Sequence, residues 1–213
     1  DYVYVAGDAT ACYLHGAVKR EGQPDPPEKV SLVTRQFVFL LPNLVVVFDR
    51  VTSTDASYRK DWLLHTAHEP TIADGVISAE HVAGKMLCRT VLPSDAVVRK
   101  VGGPGNEFRA GDVNWDIQRG KLTPENLAMM GQWRVEVSPG AARTEDVFLH
   151  VIEVGDQGLG QMVATEPIEG GGRVGVRITT GQGTMEVLFN SSGELGGHIR
   201  MAGEGRQVDQ ELT

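Results

Sequence analysis

The sequence predicts an all-β fold, a large sandwich of two stacked antiparallel sheets with at most one or two short helices. Three observations predict it. Residues 35–66 hold three short apolar runs rich in β-branched and aromatic residues, each too short for an ordinary helix. These runs are apolar at positions of both parities, so both faces need cover and all three belong at the centre of a layered structure. After Gly155 glycine becomes frequent, and four or five short extended segments alternate with Gly-rich turns, the texture of a meander.

Taken in order, residues 2–6 alternate as a strand that ends at Gly7-Asp8-Ala9-Thr10. Residues 10–15 fit a turn or one helical turn. Residues 19–28, with Pro24, Pro26 and Pro27, read as an exposed loop. Strands then run from about Val30. Pro42-Asn43 breaks the apolar run into a tight hairpin, since Pro42 cannot donate to a ladder and Asn43 tolerates positive φ. Asp74-Gly75, between residues 71–73 and 76–79, carries the type I′ hairpin signature. Residues 85–92 and 96–101 are strands turned by Pro93-Ser94-Asp95. Residues 102–116 form the longest irregular stretch, a place where loops carry function. Thr123 as N-cap before Pro124 and Glu125 predicts a helix over 124–130, ended by Gly131. Residues 133–138 and 146–154 follow as strands, then segments near 161–165, 174–179, 185–190, 197–201 and 206–211. Gly170-Gly171-Gly172 precedes a strand and is a turn, and no repeat of fixed period is visible.

The 213 residues fit one sandwich domain over 1–213, long enough to bury roughly 70% of the unfolded surface without a metal or disulfide staple. Cys12 and Cys88 have apolar neighbours and no CxxC spacing, which leaves two buried thiols or a single disulfide. The formal charge of −8 with no basic cluster argues against nucleic acid. No apolar run approaches the ~18 residues of a spanning helix, so no membrane partner is expected. The chain opens inside a strand-like alternation, which reads as a domain cut or matured from something longer.

Chemistry is sparse. There is no Gly-x-Ser-x-Gly elbow, P-loop or dinucleotide fingerprint. His65-Thr66-Ala67-His68-Glu69 gathers two imidazoles and a carboxylate. On a strand the two histidines point to opposite faces unless the chain bends, and Pro70 allows a bend. The readings are a metal site, or a hydrogen-bonded core His65 with His68 at the rim. His150, in an apolar strand, reads as buried and satisfied by a backbone or carboxylate partner. Asp49 beside a buried run calls for an arginine from a neighbouring strand. Sugar recognition needs aromatic faces with Arg, Asn and carboxylates. Trp115, Asn114, Arg109 and Glu107 supply these in the long loop, and His68 at a strand end can join them. The alternative is that Phe108 and Trp115 pin the loop onto the sandwich. Trp62 and Trp133 read as core. No catalytic residue, metal ligand or cofactor is assigned.

Several stretches in order resemble a known family. They are Ala6-Gly7-Asp8-Ala9-Thr10, Arg35-Gln36-Phe37-Val38 with Val46-Val47-Phe48-Asp49-Arg50-Val51, and Trp62-Leu63-Leu64-His65-Thr66 with Glu69-Pro70. Gly103-Pro104-Gly105-Asn106-Glu107-Phe108, Trp133-Arg134-Val135-Glu136-Val137-Ser138-Pro139 and Phe148-Leu149-His150-Val151 continue them. Together, over about residues 2–155, they resemble the heparinase II/III-like polysaccharide lyases. The resemblance implies an N-terminal α/α-toroid partner domain and a secreted or periplasmic bacterial setting. It also implies β-elimination on acidic, uronic-acid polysaccharides such as glycosaminoglycans. In the family most catalytic Tyr and His groups come from the toroid and its facing cleft. Some members hold a His-Asp-His metal site on strands upstream of this sequence. No helical stretch here replaces a toroid, so the resemblance brings the fold and setting but no catalytic residue. His65 and His150 match family strand positions as structural groups. The expected function is thus a lyase sandwich domain that supports substrate binding and is inactive or weak alone. The alternatives are a free-standing carbohydrate-binding module and a small metalloenzyme using His65, His68 and a carboxylate.

Overall fold

The structure, a computed structural model, describes residues 2–14, 28–115, 121–203 and 205–213. Except for Glu28, the proline-rich stretch expected as a loop lies outside these residues, as do His15 and Asp116. Strand β1 (Tyr2–Asp8) leads into the one-turn helix α1 (Thr10–Leu14), followed by β2 (Val30–Leu40) and β3 (Leu44–Ser53). Then come β4 (Trp62–Thr66), β5 (Thr71–Ala73), β6 (Val76–His81), β7 (Gly84–Leu92) and β8 (Val97–Gly102). Two short strands, β9 (Arg109–Ala110) and β10 (Val113–Asn114), form a ribbon inside the stretch expected to be irregular. Helix α2 (Pro124–Met129) is capped by Thr123, whose hydroxyl accepts from the Asn126 N–H at 3.2 Å, and it buries no residue. Strands β11 (Trp133–Ser138), β12 (Glu145–Asp156), β13 (Ala164–Gly170), β14 (Arg173–Thr180), β15 (Gly183–Asn190), β16 (Gly197–Gly203) and β17 (Arg206–Leu212) complete the chain.

The sandwich is as expected. A seven-stranded antiparallel sheet, ordered β1-β2-β3-β12-β7-β6-β5, faces the five-stranded meander β13 to β17. Val38, Leu40, Val46, Phe48, Leu149 and Val151 of the large sheet pack on Val176, Ile178, Val187, Phe189 and Ile199 of the meander. The Phe48 and Phe189 rings stack across this core, centroids 4.8 Å apart and planes 3° from parallel. A third layer is new. The sheet β4-β11-β8 covers part of the opposite face, through Trp62, Val135 and Val137 against Ile77, Cys88 and Phe148. Alternation along β12 sends Leu149 and Val151 to one core and Phe148 and Ile152 to the other. This is why the central runs are apolar at both parities.

Several expectations need correction. β4 is an edge strand, not a central one: Trp62 and Thr66 are buried while Leu63 and His65 face out. Among the described residues the non-glycine positive φ values belong to Asp74 and Val82, not Asn43. The Pro42-Asn43 turn is instead fastened to β12. The Asn43 amide donates to the Val154 carbonyl at 3.0 Å, and the Val154 N–H donates to the Asn43 carbonyl at 3.0 Å. β13 begins later than expected and contains Pro167. It lies on the sheet edge, where a missing N–H is tolerated. Cys12 is exposed on α1, Cys88 is buried, and both are free thiols. The Asp74-Gly75 hairpin has the expected geometry, with φ of 51° and 72°.

Candidate functional site

The described surface gathers positive charge on one face although the chain is acidic. Its first part is a cleft of about 590 Å³ between β2–β3, α1 and the β3–β4 connection. Register sets Arg35 opposite Asp49, and the guanidinium grips the carboxylate with bonds of 2.7 and 2.6 Å, the pairing expected for Asp49. That hydrogen bonding raises Arg35 above its ordinary pKa, so it stays cationic with 47% of its side chain exposed. Tyr13, Lys29, Tyr58, Arg59 and Trp62 also line the cleft. The Lys29 ammonium lies 5.6 Å from the centre of the Tyr58 ring. Lys60 is buried and structural: its ammonium donates to Ser53 at 3.1 Å and pairs with Asp146 at 3.1 Å.

Arg59 continues the charge onto the outer face of the small sheet. Val135 and Val137 of β11 point inward, so Arg134 and Glu136 point out. Glu136, only 6% exposed, holds Arg59 and Arg99 at 2.7 Å each and Arg134 at 2.7 Å. Burial pushes its carboxyl pKa up, but the bonds from Arg134, Arg59 and Arg99 outweigh burial, and it ends below the usual range. Arg59 also pairs with Asp61 at 2.8 Å, so three guanidiniums face two carboxylates and one positive charge is left over. Arg134 also donates to the Arg109 carbonyl, which joins the patch to the 103–115 loop.

In that loop the structure unites four of the five residues singled out from sequence. The Glu107 carboxylate accepts from the Gly105 N–H at 3.0 Å and the Asn114 amide at 3.3 Å. Asn114 in turn accepts from the Phe108 N–H at 2.9 Å. Arg109 donates to Asn106 at 3.1 Å and to the Gly111 carbonyl at 3.1 Å. Glu107 and Asn114 therefore shape the loop. Trp115 is 61% exposed, so its ring is not what pins the loop down. His68 pairs elsewhere, with His81, their ring nitrogens 3.4 Å apart. His65 is exposed on the edge strand rather than a core histidine. Among the described residues no group of three or more His, Cys, Asp or Glu is arranged to hold a metal.

His150 is fully buried, as expected, but its partners differ. Its Nδ1 lies 3.2 Å from the Thr90 hydroxyl and its ring stacks on Trp62 with centroids 3.7 Å apart. Burial, and then the charge of Arg35, push its pKa down to about 3. It is a neutral core group. Sequence reading missed Tyr58, Arg59, Arg99, Arg134 and Glu136. The one available signal was polar residues alternating with apolar ones, Arg134-Val135-Glu136-Val137, which marks an outward face but not which side chains meet there.

No known family profile matches the chain, and no curated protein matches its sequence. Solved structures do. The sandwich is similar to heparan sulfate lyase HepC from Pedobacter heparinus, with TM-score 0.50 and 12% identity over 79% of this chain. A mutant of that lyase matches at TM-score 0.49 and 11% identity over 78% of this chain. The chain spans 25% of each of these lyases. At such identity the likeness is one of fold, a distant structural relationship.

Proposed function

We propose that this chain is the β-sandwich part of a polysaccharide lyase acting on uronic-acid polysaccharides by β-elimination. It holds acidic sugar while the groups that move protons lie outside it. The observation that carries this reading is the arginine face centred on Glu136, on a sandwich similar in fold to a quarter of a heparan sulfate lyase. β-Elimination needs a group that neutralises the uronate carboxylate before a base removes the neighbouring proton. Guanidiniums suit carboxylate and sulfate because they donate two parallel bonds. Arg109 and Trp115 offer a cation and an aromatic face at one end of the patch. His68, Glu107 and Asn114 are contacts of lesser weight, the last two acting through loop shape. The exposed strip of Val3, Val5 and Phe37 is where an N-terminal toroid would rest. A secreted or periplasmic setting, where such polymers are met, follows from the same reading.

The test uses the 213-residue chain with heparin, heparan sulfate, alginate and chondroitin. No unsaturated-uronide absorbance should develop, and at least one polymer should bind. Arg99→Ala and Arg134→Ala should each weaken that binding and flatten its dependence on salt. Absorbance from the chain alone overturns the division of labour. Absence of binding to all four polymers overturns the reading itself.

A further inference from the structure

The sequence places His65 and His68 together, but the fold gives His68 a different companion. His68 lies on the connection from β4 to β5 and His81 at the end of β6, and the two rings meet outside the large sheet. Their centroids are 5.3 Å apart, and His68 Nε2 stands 3.4 Å from His81 Nδ1. Two imidazole nitrogens bound to one tetrahedral zinc, each at about 2.05 Å, stand about 3.3 Å from each other. The pair has the spacing of two ligands of one ion.

Both backbones are held in place. The Thr66 hydroxyl donates to the His68 carbonyl at 2.8 Å, and Lys100 binds Glu69 at 2.5 Å and the Pro70 carbonyl at 3.1 Å. On the other side, Val82 follows His81 with φ of 55°, a left-handed conformation costly for a β-branched residue. Gln157 of the turn after β12 clamps that turn, donating from its side chain to the Val82 carbonyl at 2.6 Å and from its N–H to the Ala83 carbonyl at 3.1 Å. Each imidazole thus meets the other from an anchored turn, which lowers the entropy lost when an ion is bound.

The geometry points to a two-histidine site for a divalent transition cation, zinc above all, made by His68 and His81 with water in the remaining positions. The ion clips the β4–β5 connection to the end of β6. Between those points lies the edge hairpin β5–β6, whose outer strand, Thr71–Ala73, is wholly exposed. Zinc therefore fastens an exposed edge of the large sheet.

Titration of untagged protein with zinc chloride, followed by calorimetry, tests this. One equivalent should bind saturably to the wild type and to His65→Ala. His68→Ala and His81→Ala should each abolish that binding. Amide exchange across residues 71–81 should slow on zinc addition in the wild type and stay unchanged in both of those variants, a readout that needs no enzymatic activity. Both replaced side chains are exposed, and circular dichroism checks that the variants fold. Absence of saturable zinc binding to the wild type overturns the site. So does binding that survives in His68→Ala or His81→Ala, or that disappears in His65→Ala.

Discussion

His150 carries an ionisable ring into a site where water does not reach, and this makes it a titrating determinant of stability. Its folded pKa is near 3, against 6.5 for the free side chain, with burial the main cause. Between those values the unfolded chain binds a proton that the folded chain refuses. Stability is therefore fully present above pH 6.5 and declines as pH falls toward 3. The loss reaches on the order of 5 kcal/mol at the acid end. Urea unfolding at a series of pH values should show this slope, and His150→Phe, which keeps a ring against Trp62, should flatten it between pH 3 and 6.5. An unchanged slope in the variant would exclude His150 as its source. That His150 is buried was legible from its apolar neighbours in sequence. That it meets Thr90 and Trp62 was not, because those residues lie on other strands.

At the scale of the element, the meander explains its own glycines. A Cβ built on Gly175 of β14 would stand 1.9 Å from the Val187 carbonyl on the neighbouring strand, so only hydrogen fits there. Gly170, at the end of β13, has nothing within 4 Å of the same construction. Gly175→Ala should cost about 1–3 kcal/mol or more, as overpacked cores do. Gly170→Ala should change stability by no more than about 0.5 kcal/mol. Denaturant midpoints of the two variants give the comparison, and equal losses would show that close strand approach is not the reason for glycine at 175. Turn chemistry was readable locally, as Asp74-Gly75 and Gly170-Gly171-Gly172 demonstrate. The start of β13 was misplaced because a proline inside a strand is forbidden or allowed according to the neighbours it has, and edge position is not written in the segment itself.

Across the whole molecule, the large sheet is held between two unequal layers. Phe48 and Phe189 stack at the contact between it and the meander, and both rings are fully buried. Phe48→Ala should cost about 3–5 kcal/mol, the usual toll of a buried aromatic with the cavity it leaves. Thermal unfolding monitored by calorimetry checks it, and a loss under 1 kcal/mol would mean that the layers are joined by other contacts. The same layering creates the cationic face. β11 carries Glu136 and Arg134, β8 brings Arg99, and the β3–β4 connection brings Arg59, so charge drawn from three parts of the chain converges. A net charge of −8 gives no hint of this.

The amino-acid sequence alone determined the all-β class, most strands, the hairpin turns, the capped helix and the burial of the central runs. Those properties depend on side-chain parity, turn stereochemistry and apolar content within a few residues. Tertiary structure alone decided that a third sheet covers the second face, that β4 lies on an edge, and that His68 meets His81 rather than His65. It also decided that three arginines share one carboxylate. These are meetings between strands far apart in sequence, set by sheet order and register, and no local pattern encodes which strand becomes the neighbour of which.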